Sequence, residues 1–202
     1  MQNYFITGTD TDVGKTIASA WLMLHLEADY YKPAQAGLEE TDRQTVQDIT
    51  NFPADRFHPC TYELTQPLSP HESAKRDGIA IEMDKFALPQ TTRPLIVEGA
   101  GGLMVPLNDD NLVIDLIAQL ELPIILVCRS GLGTINHTLL SLEAIHTRNL
   151  PIAGLIISGH KSPHNREALE QYSGGVPIIA EIDHLDHVSA ENLLAIKPEI
   201  EL

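Results

Sequence analysis

Short apolar runs alternate along this chain with longer stretches whose apolar residues recur at helical spacing. Six runs read as strands, at 3–7, 29–32, 94–98, 123–128, 152–157 and 177–182. Ile96-Val97, Ile124-Ile125-Leu126-Val127 and Leu155-Ile156-Ile157 are continuously apolar, as strands buried on both faces are. Helical spacing marks 15–27, 41–50, 82–88, 112–120, 134–147, 164–172 and 189–195. Pro94, Pro123, Pro151 and Pro177 stand at or just before strand starts, where a missing N–H is tolerated. This alternation predicts an α/β fold, a doubly wound, mostly parallel sheet flanked by helices. The proline-rich stretch 53–93 breaks the rhythm and reads as an excursion within one domain, 1–202.

The first strand runs into Gly8-Thr-Asp-Thr-Asp-Val-Gly14-Lys15-Thr16, and a helical stretch follows at once. Strand, glycine loop ending in Gly-Lys-Thr, then helix is the context of a phosphate-binding loop, so the fold is expected to be P-loop NTPase-like. Backbone N–H groups of such a loop and the helix N-terminus point positive charge at phosphate. Lys15 adds a full charge, and the Thr16 hydroxyl suits a Mg²⁺ ion. Gly8 and Gly14 enclose five residues, where the common pattern has four. A surface turn that happens to contain Gly-Lys-Thr is the alternative, and the flanking elements count against it.

Three further residues carry candidate chemistry. Lys32 ends the second strand beside Gly37, where it can face a nucleotide crevice; alone it reads as an ordinary surface lysine. Asp42 opens a helix, a place where acids also serve the helix dipole. Glu98 terminates an apolar strand before Gly99-Ala-Gly-Gly102, where P-loop enzymes put a Mg²⁺ ligand. A simple strand-ending turn does not account for an acid there. The glycines after it, Gly99 and Gly101 among them, let a backbone approach a ligand.

Composition narrows the function class. The formal net charge of −15 argues against binding nucleic acid or anionic membrane. Cys60 and Cys128 lie far apart without metal-ligand spacing, which fits a reducing, cytoplasmic setting. No apolar run reaches membrane-spanning length, and no signal peptide precedes the first strand.

GTDTDVGKT, KPAQAG from Lys32, PLSPHESA (Pro67 to Ala74), EGAGG from Glu98 and GLGTINH (Gly131 to His137) together resemble dethiobiotin synthetase, in that family's order. The resemblance covers Gly8 to His137 and is looser beyond. It implies an ATP- and Mg²⁺-dependent ring closure in biotin synthesis. One amine of 7,8-diaminononanoate takes up CO₂, ATP phosphorylates the carbamate, and the second amine displaces phosphate. Lys15 and Lys32 would be the catalytic lysines, offsetting repulsion between carbamate and γ-phosphate. Thr11, Asp12, Val13, Gly14, Lys15, Thr16, Glu98, Gly99, Gly101 and Ser158 would bind nucleotide, and Thr16, Asp42 and Glu98 would hold Mg²⁺. Asp12, Lys32 and Ala36 would contact the substrate. Gly133, Thr134, Ile135 and Asn136, opening a helix, would hold its carboxylate from the second subunit of a homodimer, although Thr134 also reads as a plain N-cap.

The chain departs from the family at four places. Asp12 stands for Glu, Ala36 for Ser or Thr, Ser158 for Asn, and Ala180-Glu-Ile-Asp183 for a GEIP-like segment. The first two leave the reaction standing; the last two predict weakened selectivity for ATP. Replacing Lys15 or Lys32 is expected to lower turnover with little effect on folding. The alternative reading is a MinD/ParA-type regulatory ATPase, which has the same fold and a related loop. Thr9-Asp10-Thr11 stands where those carry an extra lysine, and the tail lacks a basic amphipathic helix.

Overall fold

The computed structural model describes residues 2–202. In chain order the elements are β1 (Tyr4–Gly8), α1 (Lys15–Leu26), β2 (Asp29–Tyr31), β3 (Ala34–Ala36), α2 (Asp42–Thr50), β4 (Tyr62–Leu64), α3 (Pro70–Asp77), β5 (Leu95–Gly102), α4 (Val113–Leu120), β6 (Ile124–Arg129), α5 (Thr134–Thr147), β7 (Ile152–Ser158), α6 (Pro163–Tyr172), β8 (Ile178–Ile182) and α7 (Ala190–Ala195). Six strands form one sheet in the order β2-β5-β1-β6-β7-β8, every pairing parallel. The doubly wound expectation holds.

The apolar strands alternate between two faces, and each face has its own core. Phe5, Val97, Ile124, Leu126 and Leu155 pack with α3, α4, α5 and α6 through residues such as Ala74, Ile117, Leu142 and Leu169. Tyr4, Ile6, Ile96, Ile125 and Ile156 pack with α1, α2 and α7 through Trp21, Leu22, Val46 and Leu193. Helices on both faces bury a sheet whose strands expose neither side. From β1 the chain winds first toward β2 and then back through β6 to β8. The C-terminal end of β1 is therefore the switch point where open α/β sheets bind ligands, and the glycine loop leaves the sheet there.

Three features differ from the sequence reading. The expected helix at 82–88 is only a 3₁₀ turn, Met83–Lys85. Phe86 turns into the core there, and Pro89 biases its predecessor away from helix. The 53–93 excursion instead contains β4 and α3. Helix α3 has Pro70 just inside its start and Gly78, at φ 69°, just past its end, which is the proline–glycine signature of helix ends. The two-stranded β3–β4 sheet pairs residues nearly thirty apart (Ala34 with Tyr62), so no local pattern announces it.

Strand β5 also runs past Glu98 to Gly102. Its pairing with β1 shifts from Ile6–Glu98 to Gly8–Gly102, so extra residues on β5 bulge outward. Gly101 at φ 70° supplies the left-handed residue that this bulge needs. Glu98 is thus within the strand rather than at its tip, beneath the loop.

Candidate active site

The loop after β1 is shaped to receive an anion. Asp12 at φ 55° and Gly14 at φ 96° take left-handed conformations, which turns the chain back over its own amides. A Cβ on Gly14 would fall 2.4 Å from Ser158 Oγ, so space as well as φ requires glycine. No side chain caps the N-terminus of α1, which leaves its first-turn N–H groups to a ligand. Lys15 folds back and donates to the Asp10 carbonyl at 3.0 Å. Burial pushes the Lys15 ammonium below the usual lysine range, and nearby Glu98 offsets part of that. Asp10 also accepts from the Thr11 amide at 2.7 Å and from Arg129 Nη2 at 2.9 Å, an exposed strap that the sequence reading missed.

Beneath the loop, two acids converge on Thr16 and a lysine joins the acids. Thr16 Oγ1 donates to Asp42 Oδ1 at 2.8 Å and lies 3.3 Å from Glu98 Oε1. Lys32 Nζ sits 2.5 Å from Asp42 Oδ2, 3.1 Å from Glu98 Oε1 and 3.2 Å from the Gly99 carbonyl, which uses all three of its protons. Lys32 is 4% exposed. Burial alone would lower its pKa, but Glu98 and Asp42 outweigh burial and hold it above the usual value. Burial alone would raise Asp42; Lys32 and the Thr16 hydroxyl hold it below the usual carboxylate range. The second oxygen of Glu98, Oε2, accepts from Ser19 Oγ at 2.7 Å and Tyr30 OH at 3.0 Å. Burial, reinforced by Glu98, raises the Tyr30 phenol well above its ordinary value, so it remains a donor.

Lys15, Thr16, Lys32, Asp42 and Glu98 line one cavity of about 720 Å³. Gln35 forms part of its wall and ties two segments together. Its amide nitrogen donates to the Ala36 and Gly37 carbonyls, both at 3.2 Å, and its oxygen accepts from the Asp42 amide at 3.3 Å. The N-terminus of α3 closes another wall with Leu68, Ser69 and Pro70. Ser69 makes no capping hydrogen bond of its own. In the sequence Ser69-Pro70 is legible only as a helix start, a proline following a capping-type residue, and not as a cavity wall.

A family description, AAA domain, matches residues 2–192. A relative named ATP-dependent dethiobiotin synthetase BioD, from Paramagnetospirillum magneticum, is 50% identical over 199 residues, spanning 98% of this chain and 96% of the relative. The chain belongs to the dethiobiotin synthetase family. A second BioD, from Rhodopseudomonas palustris strain BisA53, is 44% identical over 94% of this chain and 89% of its own length. The bifunctional BioCD of Bordetella avium is 50% identical over 93% of this chain, which spans 40% of that longer protein. Among solved structures, a ParA family ATPase from Chlorobium tepidum aligns with TM-score 0.54 at 14% identity, covering 96% of this chain and 90% of that one. MinD of Pyrococcus horikoshii, complexed with Mg-ADP, aligns at 0.50 and 14%, covering 98% and 87%. Those two likenesses concern the fold alone.

Most positions that the synthetase resemblance singles out meet in the cavity. Thr11, Asp12, Gly14, Lys15 and Thr16 line it from the loop, and Lys32, Ala36, Asp42, Glu98 and Gly101 line it from the sheet side and α2. Val13 does not line it, because its side chain is buried in the core beside Gly8. Gly99 packs against the Phe5 ring and gives Lys32 its carbonyl. Ser158 lies against the back of Gly14 and outside the cavity lining. Gly133, Thr134, Ile135 and Asn136 open α5 outside it as well, with Thr134 buried against Thr138.

The donor chemistry fits a nucleotide-bound Mg²⁺. The converging atoms are all hard oxygens, one hydroxyl and two carboxylates, and Mg²⁺ in phosphate sites takes one or two carboxylates beside phosphate. Among the described residues no group of three or more His, Cys, Asp or Glu could hold a metal alone, so a Mg²⁺ ion there would need phosphate oxygens and water to complete its shell.

Proposed function

We propose that this chain closes the ureido ring of dethiobiotin from 7,8-diaminononanoate, CO₂ and ATP. One observation supports this most directly. The glycine loop with Lys15, and Lys32, Asp42 and Glu98 from three further segments, meet in a single cavity of about 720 Å³. The loop amides and Lys15 hold the phosphates. Thr16, Asp42 and Glu98 would hold Mg²⁺, which when bound would supply charge neutralisation at the transferring phosphoryl group.

Lys32 bridges the two acids in the cavity wall. In the ternary complex it exchanges its Asp42 contact for an oxygen of the carbamate or γ-phosphate, lowering the repulsion between the two anions as they approach. In a water-poor site that charge acts far more strongly than in bulk. The Asp12 carboxylate, exposed in the cavity wall, holds one ammonium of the substrate while the other nitrogen reacts. A free alkylamine titrates near ~10.4, so the site must favour the neutral form at the reacting nitrogen. Ala36 offers only a methyl group at its place on the wall.

The substrate's carboxylate is held by Gly133 to Asn136 of a second subunit, so the working unit is a homodimer with shared sites. The reaction takes place in the cytoplasm, without nucleic-acid or membrane partners. No helix among the described residues is long and apolar enough to cross a membrane. Phosphate release from Mg-ATP, measured with and without diaminononanoate and bicarbonate, tests the reaction. Release that requires both supports the synthetase. Hydrolysis indifferent to both would favour the MinD/ParA-type reading.

A further inference from the structure

The two acids beneath the loop differ in freedom. The Asp42 side chain is 31% exposed, whereas that of Glu98 is 1% exposed. A carboxylate can bind a cation through one oxygen or through both, and Glu98 has only one oxygen to offer. Its Oε2 is held by Ser19 Oγ at 2.7 Å and Tyr30 OH at 3.0 Å, while Oε1 faces Thr16 and Lys32. Ser19 comes from α1 and Tyr30 from β2, so two separately packed elements hold the same oxygen. Both residues are 0% exposed, and neither hydroxyl reaches bulk solvent. Freeing Oε2 would leave two buried hydroxyls without their acceptor, a cost specific to that change.

We infer that Ser19 and Tyr30 restrict Glu98 to one-oxygen ligation and thereby bias the cation site toward Mg²⁺ and against Ca²⁺. Mg²⁺ is octahedral and takes single oxygens at short range. Ca²⁺ takes six to eight oxygens and commonly gains two from one carboxylate. A Glu98 unable to turn its second oxygen inward withholds that extra ligand from Ca²⁺ and pre-aims the one that Mg²⁺ needs. Outer partners of this kind orient ligands and tune the metal. The inference rests on the proposed role of Glu98 as a ligand.

The test measures binding rather than turnover. Mn²⁺ is bound to the ADP-loaded protein, followed by paramagnetic resonance, and displaced with MgCl₂ or CaCl₂. Tyr30→Phe keeps the ring and removes the hydroxyl; Ser19→Ala does the same on the other side. Each variant is expected to lose about tenfold in Mg²⁺ affinity, the scale for losing an outer partner of a ligand, while Ca²⁺ affinity holds or rises. The Mg²⁺/Ca²⁺ ratio therefore falls about tenfold. Unchanged ratios, or equal losses for both ions, overturn the inference; if one variant does not fold, the other decides. Glu98→Gln separates the premise. Wild-type affinity for both ions in that variant removes Glu98 from the metal site and takes this inference with it. A loss there, beside unchanged ratios in the hydroxyl variants, overturns the inference alone.

Discussion

Replacing Lys32 with Met removes a charge while keeping an unbranched side chain of similar length. The sequence suggests that such a change costs turnover but little stability. The structure reverses the second half. Lys32 is 4% exposed, and its ammonium is 2.5 Å from Asp42 and 3.1 Å from Glu98. Its loss leaves two carboxylates facing the same hydroxyl without their directly bonded counter-charge, and only Lys15 remains nearby. Removing one partner of a buried pair costs about 3–5 kcal/mol. Asp42 is partly solvated, so the lower end, about 3 kcal/mol, is expected. For a domain of this size that lowers Tm by about 6–12 °C.

The pH dependence has a definite sign. In the wild type Asp42 is depressed, so its contribution is present above about 3.9 and is lost as pH falls through its folded value. Lys32 is raised, so its contribution is full below about 10.4 and is lost as pH rises past its folded value. In Lys32→Met, Asp42 loses its nearest counter-charge and binds a proton more tightly when folded. The deficit is therefore largest near neutral pH and shrinks as pH falls toward about 4. Fluorescence of Trp21, the single and fully buried tryptophan, follows unfolding at pH 4.5, 7 and 9. Turnover is expected to fall about 10²-fold. A variant that melts like wild type at pH 7 would refute the shared buried charge, and near-normal turnover would remove Lys32 from phosphoryl transfer.

Asp29 is buried at the opposite end of β2, bound to Arg56 at 2.6 Å and Thr91 at 2.5 Å. Asp29→Asn is expected to cost about 3 kcal/mol in urea unfolding yet leave ADP affinity unchanged; weakened ADP binding would show coupling between the two ends of the sheet. Asn136→Ala is expected to raise KM for diaminononanoate. Mixed with Lys15→Ala, it should regain activity through hybrid sites, and no recovery despite verified subunit exchange would count against a shared site. With Ser158 and Ala180–Asp183 in place of the usual Asn and GEIP-like segments, kcat/KM for GTP or CTP is expected within about tenfold of ATP. A preference for ATP of a hundredfold or more would show that other groups read adenine.

The amino-acid pattern by itself determined the six-strand sheet, the phosphate loop and the family. Each rests on local information: continuous apolar runs at Ile124 to Val127, the Gly14-Lys15-Thr16 junction, and short motifs in a set order. Lys32, Asp42 and Glu98 were legible as candidates because charge at a strand end or helix start is conspicuous. Their relation was not. Tertiary structure alone brought Asp42 and Glu98 to opposite sides of one lysine, because parallel pairing sets β2 beside β5 and the 98–102 bulge keeps Glu98 under the loop. It likewise decided that Ser19 and Tyr30, a polar residue in a helix and an aromatic in a strand, serve one carboxylate oxygen. Hydrogen bonds between residues 68 and 79 positions apart leave no periodicity in the chain. Only the packing of α1 and β2 around β5 creates them.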